Sequence, residues 1–260
     1  MARWLTLAKT HLRRRTATSS KQTCPALDTH FQAVSKAAGE ELTFQTAKNI
    51  PTFKERLRSG EYDIAYMNPY HYTVFHKQPG YQAIANARDK RIKGIIVVPK
   101  DRPIQNISQL LGSTLALPAP AAFAATVLPQ AAFRPASIEC TPKYVSSHDS
   151  VYQTVAKGFY PAGGGVMRTL KNITPQVHAQ LRVLWTSEGF TPHAIAVHPR
   201  VAQHRVRAIA QALFALHLSE EGKRPVTSIR IKGFQPAQNA DWDDARALHL
   251  HTIDVKHAAR

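Results

Sequence analysis

Cysteine is scarce in this sequence, acidic residues are outnumbered two to one, and no apolar run approaches the length of a membrane helix. The two cysteines, Cys24 and Cys140, are far apart and lack metal-type spacing. A structural zinc site is therefore not expected. The longest apolar stretches, Ile95 to Val98 and Leu115 to Leu117, fall far short of the ~20 residues that a bilayer demands. Against 17 Asp and Glu stand 34 Lys and Arg, a formal charge of +17 over 260 residues. Such an excess attracts nucleic acid, anionic membrane or small anions, but no nucleic-acid-binding module is recognisable, so no nucleic-acid partner is expected. Part of the charge lies early, at Arg3, Lys9, Arg13, Arg14, Arg15 and Lys21. The rest is scattered as on a solvated surface.

Also missing is a secretory leader of ordinary form. Only Trp4 to Ala8 resembles an apolar stretch, whereas an h-region needs roughly seven to fifteen apolar residues. Cys24 follows Lys21-Gln22-Thr23 rather than the small apolar residues that precede a lipidated cysteine. Residues 1–24 read as an atypical basic segment without regular structure. Gly163-Gly164-Gly165 lacks the G-x-G-x-x-G spacing of a dinucleotide site, and neither His249/His251 nor His71/His76 has the i, i+4 spacing of a helical zinc pair. No cofactor and no metal are expected.

What is present is a packed chain, 43% hydrophobic, long enough for one large domain or two small ones. From residue 30 onward helical and strand-like segments alternate. Phe31, Val34 and Ala38 sit at helical spacing before Gly39. Leu42 to Thr46 reads as a strand, and Pro51 opens a helix carrying Phe53 and Leu57 that ends at Gly60. Tyr62 to Met67 is strand-like, Tyr70 to His76 helical, and Tyr81 to Ala87 and Lys93 to Val98 are strands. Further on, Ile107 to Leu111 is a helical turn and Thr114 to Leu117 a buried strand. Ala121 to Leu128 is a helix that Pro129 kinks or stops. Tyr144-Val145 closes a strand, and Ser147 or Asp149 caps a helix over Ser150 to Lys157. Gly163 to Gly165 reads as a turn. Leu181 to Trp185 and Ala194 to Val197 are strands, and Val201, Arg205, Ile209, Ala212, Leu213 and Leu216 trace an amphipathic helix. The alternation implies an α/β architecture.

In open α/β sheets ligands bind beyond the carboxyl ends of strands. That rule selects three loops: Asn68-Pro69-Tyr70, Pro118 to Phe123, and Ser146 to Asp149. The last two lead directly into helix N-termini, whose free N–H groups and positive dipole end favour an anion.

The order of these segments resembles the phosphonate- and phosphate-type solute-binding proteins of ABC importers. Arg58 to Tyr66 resembles the family's helix end and acidic residue before a buried strand. Ile107-Ser108-Gln109-Leu110-Leu111-Gly112-Ser113-Thr114-Leu115-Ala116 is similar to a second family segment. Ser147-His148-Asp149-Ser150 followed by Val155-Ala156-Lys157-Gly158 resembles a third, and Leu181 to Trp185 with Thr191-Pro192-His193 a fourth. The resemblance implies the two-lobed type II periplasmic binding-protein fold, each lobe a mixed sheet flanked by helices. Lobe 1 would be residues 25–95 plus 192–260 and lobe 2 residues 96–191, joined by hinge strands at Ile95 to Pro99 and His193 to His198. It also implies a periplasmic, non-catalytic monomer that closes on a small anionic solute and delivers it to a membrane permease, with a sensor kinase as the alternative partner. An enzyme on the same scaffold is a weaker alternative, because consecutive Ser147-His148-Asp149 side chains diverge and do not form a triad.

Asn68, Tyr70, Pro120, Ala121, Ala122, Phe123, Ser147, His148, Asp149, Gly163 and Gly164 are the expected ligand-binding residues. Each has a plainer alternative. Tyr66 and Met67 could simply finish a core strand with Tyr70 packing a helix, Phe123 could fill the core, His148 could help cap its helix, and Tyr66 reads as core. Where the family carries a Ser-Thr-Ser run this chain has Ala121-Ala122-Phe123. An acidic family position falls in Pro161-Ala162-Gly163 and an aromatic one at Ile50. The solute is thus left open within the phosphate and phosphonate class.

Overall fold

A computed structural model describes residues 33–43, 45, 47, 49–218 and 231–249. The segment 1–24 lies outside the described residues, as does part of the stretch read as a strand over Leu42 to Thr46. The chain divides into two compact units. Among the described residues the central unit holds Arg91–Phe190 and 246–249; the flanking unit holds those from 33 to Lys90 and Thr191–Ala245.

In chain order the described strands are β1 (Ile64–Met67), β2 (Gln82–Ala87), β3 (Ile95–Pro99), β4 (Thr114–Leu117), β5 (Thr141–Tyr144), β6 (Ala162–Gly165), β7 (Leu181–Thr186), β8 (Ala194–Val197) and β9 (Phe234–Pro236). The main helices are α1 (33–38), α2 (Ile50–Arg58), α3 (Pro69–Lys77), α4 (Leu128–Phe133), α5 (His148–Ala156), α6 (Met167–Leu170), α7 (Pro175–Ala179) and α8 (Gln203–Ala215). The helix opened by Pro51 has its punctuation in place. Asn49 caps α2 by accepting from the Thr52 N–H at 2.9 Å, Phe53 and Leu57 are buried, and Gly60 leaves the helix with φ 65°.

The flanking unit is built on an antiparallel sheet in the order β1-β8-β2-β9. Strand alternation sorts its apolar residues onto two faces. Ile64, Ala85, Ile195 and Val197 pack with Ile209, Leu213 and Leu216 of the α8 region. Ala65, Met67, Ala194 and Ala196 pack with Phe53, Tyr72, Phe75 and Trp242. Burying such side chains is worth about 1.5–3 kcal/mol each, which makes these two layers the source of the unit's stability.

The central unit has a five-stranded sheet in the order β5-β4-β6-β3-β7. Strand β4 runs parallel to both β5 and β6, while β3 is antiparallel to β6 and β7. On one face Ile95, Val97 and Ala116 meet Val151, Tyr152 and Val155 of α5. On the other Ile96, Val98, Leu115 and Leu117 meet Leu110, Phe133 and Ile138. The helices that follow β4 and β5 therefore cover opposite faces of the sheet.

Several local expectations need correction. Gly163 to Gly165 is not a turn but most of strand β6, buried beside β4 and β3. A Cβ on Gly163 would lie 2.5 Å from Val151 Cγ1, one on Gly164 1.8 Å from the Ala125 carbonyl oxygen, and one on Gly165 2.2 Å from the Tyr152 hydroxyl. The missing side chains let α5 and the chain after β4 press onto the sheet from either side. Pro129 does not stop its helix. A π-helical turn over Phe123–Val127 widens the winding, Leu128 N–H bonding to the Phe123 carbonyl, and Pro129 then sits in the first turn of α4, where no N–H is needed. Of the two stretches expected as hinges, β3 belongs to the central sheet and β8 to the flanking sheet.

Candidate functional site

In the central sheet the first strand of the parallel set, β4, lies between the second, β5, and the third, β6. The chain leaving β4 passes to one face, into α4. The chain leaving β6 enters α6, which packs with α5 on the other face through Leu170. Neighbouring strands whose connections diverge form a topological switch point, the crevice where open α/β sheets bind ligands. Pro118 to Ala122 borders it from the β4 side and Val166 to Arg168 from the β6 side.

The β4 side is shaped by backbone. Pro120 is half-buried, and Ala121, Ala122 and Phe123 are buried. No side chain caps the helix that starts at Phe123, and the first N–H groups of any helix have no partner within it. Thr126 Oγ1 donates to the Ala119 carbonyl at 2.8 Å and fixes the loop against the helix. The widened π turn brings the Ala124 and Ala125 carbonyls against Gly94 and Gly164, where a Cβ would lie 2.1 and 1.8 Å away. Phe123 packs edge-on against Phe190 with ring centroids 5.7 Å apart. Its ring belongs to the core.

Strand β5, parallel to β4, delivers α5 from the same end of the sheet. Ser146 adopts φ 72°, which turns the chain so that Ser147 caps α5 by accepting from the Ser150 N–H at 3.0 Å. Of the two caps left open by the sequence, Ser147 is the one used. His148, the first helical residue, is 8% exposed, and its Nδ1 is buried without a hydrogen-bond partner. Burial pushes its imidazole down to about 4, with Arg168 acting in the same direction and Asp149 opposing. At neutral pH His148 is an uncharged hydrogen-bonding group next to a helix start. Asp149 is exposed beside it in the first turn.

Gly163 and Gly164 lie in β6 with their open faces filled by Val151, Val155, Leu117 and Ala125. The room left by the missing side chains is occupied by protein. The central unit thus brings Pro120 to Phe123 and Ser147 to Asp149 to one end of the sheet, with the glycines as packing spacers behind.

In the flanking unit Asn68 is buried and caps α3, its Oδ1 accepting from the His71 N–H at 2.7 Å. Tyr70 is buried in the first turn of the same helix. Tyr66, expected in the core, is half-buried and stacks on His193 at a centroid distance of 4.8 Å and an interplanar angle of 14°. Asn86 was missed: it is 3% exposed, lies beside Ala194 of β8, and its Oδ1 is buried without a hydrogen-bond partner. A lone amide within Ala83-Ile84-Ala85-Asn86-Ala87 was the available signal. Arg168 was missed as well. It is exposed on α6 and forms no ion pair with a described residue. Among the described residues no cluster of His, Cys, Asp or Glu could hold a metal.

A central unit with a 2-1-3 parallel core completed by antiparallel strands, in a chain that folds into two α/β units, is the type II periplasmic binding-protein architecture. The chain belongs to the family described as ABC transporter, phosphonate, periplasmic substrate-binding protein, which it matches over residues 16–242. The family supplies the solute-binding component of an importer, working with a membrane permease outside the inner membrane. No curated protein matches the sequence. Among solved structures the chain is similar to PhnD1 from Prochlorococcus marinus (MIT 9301) in complex with methylphosphonate, at TM-score 0.75 and 16% identity over 88% of this chain and 93% of that one. It is also similar to a binding protein component of an ABC phosphonate transporter from Pseudomonas aeruginosa, at TM-score 0.73 and 15% identity over 90% and 82% of the two chains. A Xanthomonas citri protein bound to ATP matches at TM-score 0.72 and 16% identity over 86% and 90%. Among the described residues no helix is long and apolar enough to cross a membrane.

Proposed function

We propose that this protein is a periplasmic, monomeric receptor that binds a small oxyanion of the phosphate and phosphonate class without transforming it, and that the anion sits at the β4/β6 switch point of the central unit. The observation that carries this reading is the uncapped helix start at Ala122-Phe123 beside the buried His148, both at the carboxyl end of adjacent parallel strands. Helix-start N–H groups and a neutral imidazole donor suit an oxyanion. The relative bound to methylphosphonate supports the ligand class.

Three features argue against catalysis. Ser147 Oγ is engaged in the α5 cap and lies 2.8 Å from Ser150 Oγ. His148, with its imidazole near 4, is a poor general base at neutral pH. The Cys140 thiol donates to the Leu110 carbonyl at 3.1 Å, and burial raises it away from the reactive thiolate.

Isothermal titration calorimetry with phosphate, phosphite, methylphosphonate and a sulfonate tests the reading. Saturable binding of at least one phosphorus oxyanion, recovered unchanged after incubation, is expected. Silence toward all four sinks it. Light scattering of the purified chain checks the monomer.

A further inference from the structure

The loop that faces the switch point from β4 offers no side-chain donor, because positions 121–123 are Ala, Ala and Phe. On the α5 side Ser147 Oγ is occupied by its cap, His148 is neutral at physiological pH, and Asp149 brings a negative charge into the first helical turn. A carboxylate there already takes up much of the favourable helix-end potential. Backbone amides alone would then have to hold an anion next to an acidic residue. The charge must come from elsewhere.

We propose that Arg168 is the residue that neutralises the bound oxyanion and makes the site selective for anions with two or more exposed oxygens. This rests on the reading of the switch point as the solute site. The placement follows from the chain itself. Strand β6 ends at Gly165, at the same end of the sheet as β4, and Arg168 is three residues later in α6. The α6 segment is locked to α5 by Tyr152, whose hydroxyl accepts from the Val166 N–H at 3.0 Å and lies 2.8 Å from Thr169 Oγ1. His148 is one helical turn before Tyr152, on the same side of α5, so the face of α5 that carries His148 is the one turned toward the segment bearing Arg168. The guanidinium is exposed and unclaimed by any described carboxylate, and its positive charge is felt at the His148 ring. A planar fork of donors matches two oxygens of a phosphate or phosphonate, whereas an ammonium offers a single point of charge.

The test compares the wild-type chain with R168Q and R168K, using inorganic phosphate and methylphosphonate as probes in calorimetry at low and high sodium chloride. Removing a charge-assisted hydrogen bond should weaken binding about tenfold or more in R168Q and flatten its salt dependence. R168K should keep the salt dependence while losing part of the affinity. A ligand-free readout accompanies this: the His148 imidazole, followed by NMR, should titrate higher in R168Q than in wild type. If wild type binds and R168Q binds within about twofold with the same salt slope, Arg168 is a solvated surface residue and the inference is overturned while the receptor reading stands. If wild type binds neither probe, both fall.

Discussion

Two helices that follow a strand, one in each unit, start in opposite ways. In the flanking unit Asn68 follows β1 and closes the helix start on itself, its buried Oδ1 accepting from the His71 N–H. In the central unit the helix after β4 begins at Ala122 with no side-chain cap, widens into a π turn, and is held by close packing against glycines instead. One unit spends a polar side chain on satisfying its own backbone. The helix after β4 has no side-chain cap and is secured from behind. On the proposed reading, that difference favours the helix after β4 over α3 as the partner of an anion, since an amide satisfied within the fold has nothing to offer a ligand.

The sharpest way to break the comparison is to remove the support behind the uncapped helix. Gly164→Ala puts a Cβ 1.8 Å from the Ala125 carbonyl oxygen, a backbone atom that cannot swing aside. The expected loss is about 3 kcal/mol, in the upper range for overpacking. Gly112→Ala is the control. Its φ of 74° is unfavourable for a side chain but nothing lies within 4 Å, so its cost should be nearer 1 kcal/mol. Urea denaturation of both variants separates the effects. Equal, small losses would mean that the helix is not pressed onto β6 as described.

His148 gives a second, pH-dependent test. Its imidazole titrates near 4 in the folded chain, against 6.5 for the unperturbed group. Between those values the unfolded chain binds a proton that the folded chain refuses, so stability is full above 6.5 and falls as the pH drops toward 4. The shift corresponds to a loss of ~3 kcal/mol at most. H148N should remove that part of the slope when denaturation midpoints at pH 7 and pH 4.5 are compared. An unchanged slope in H148N would show that the ring is not held in its neutral form by burial.

What the sequence disclosed and what it hid follow the same physical line. Strands bounded by strong punctuation, such as Thr114–Leu117 after Gly112 and Ala194–Val197 after Pro192, are visible because the local signals agree with the fold. The loops leading to Phe123 and His148 are visible for a related reason: strand-then-helix order alone locates them. Gly163 to Gly165 misleads because consecutive glycines have the local signature of a turn. Their actual role depends on Val151, Ala125 and Tyr152, neighbours fixed only by tertiary packing. Arg168 is hidden for the converse reason. An exposed arginine carries no periodic signal, and its relation to His148 exists only once β6 is inserted between β4 and β3. Asn86 is a lone polar residue in an apolar strand, but its burial without a partner is not written in its neighbours along the chain.

The smallest expected effect is also the most discriminating, because Asn68 reads as a ligand contact from the sequence and caps α3 in the structure. Capping uses Oδ1, an atom that aspartate also provides, and Asn and Asp are comparable caps. Contact with an anion would use the amide N–H, which aspartate lacks and replaces with a negative charge. Asn68→Ala should therefore cost about 1 kcal/mol of stability, and Asn68→Asp should restore most of it. If Asn68 serves only as the cap, phosphate or methylphosphonate affinity in Asn68→Asp stays within about twofold of wild type. If it lines the site, that affinity drops at least tenfold although the helix start is intact, since like-charge repulsion is added to a lost donor. A drop of that size would erase the contrast between the two units, because the flanking unit would then be contributing a donor to the anion after all.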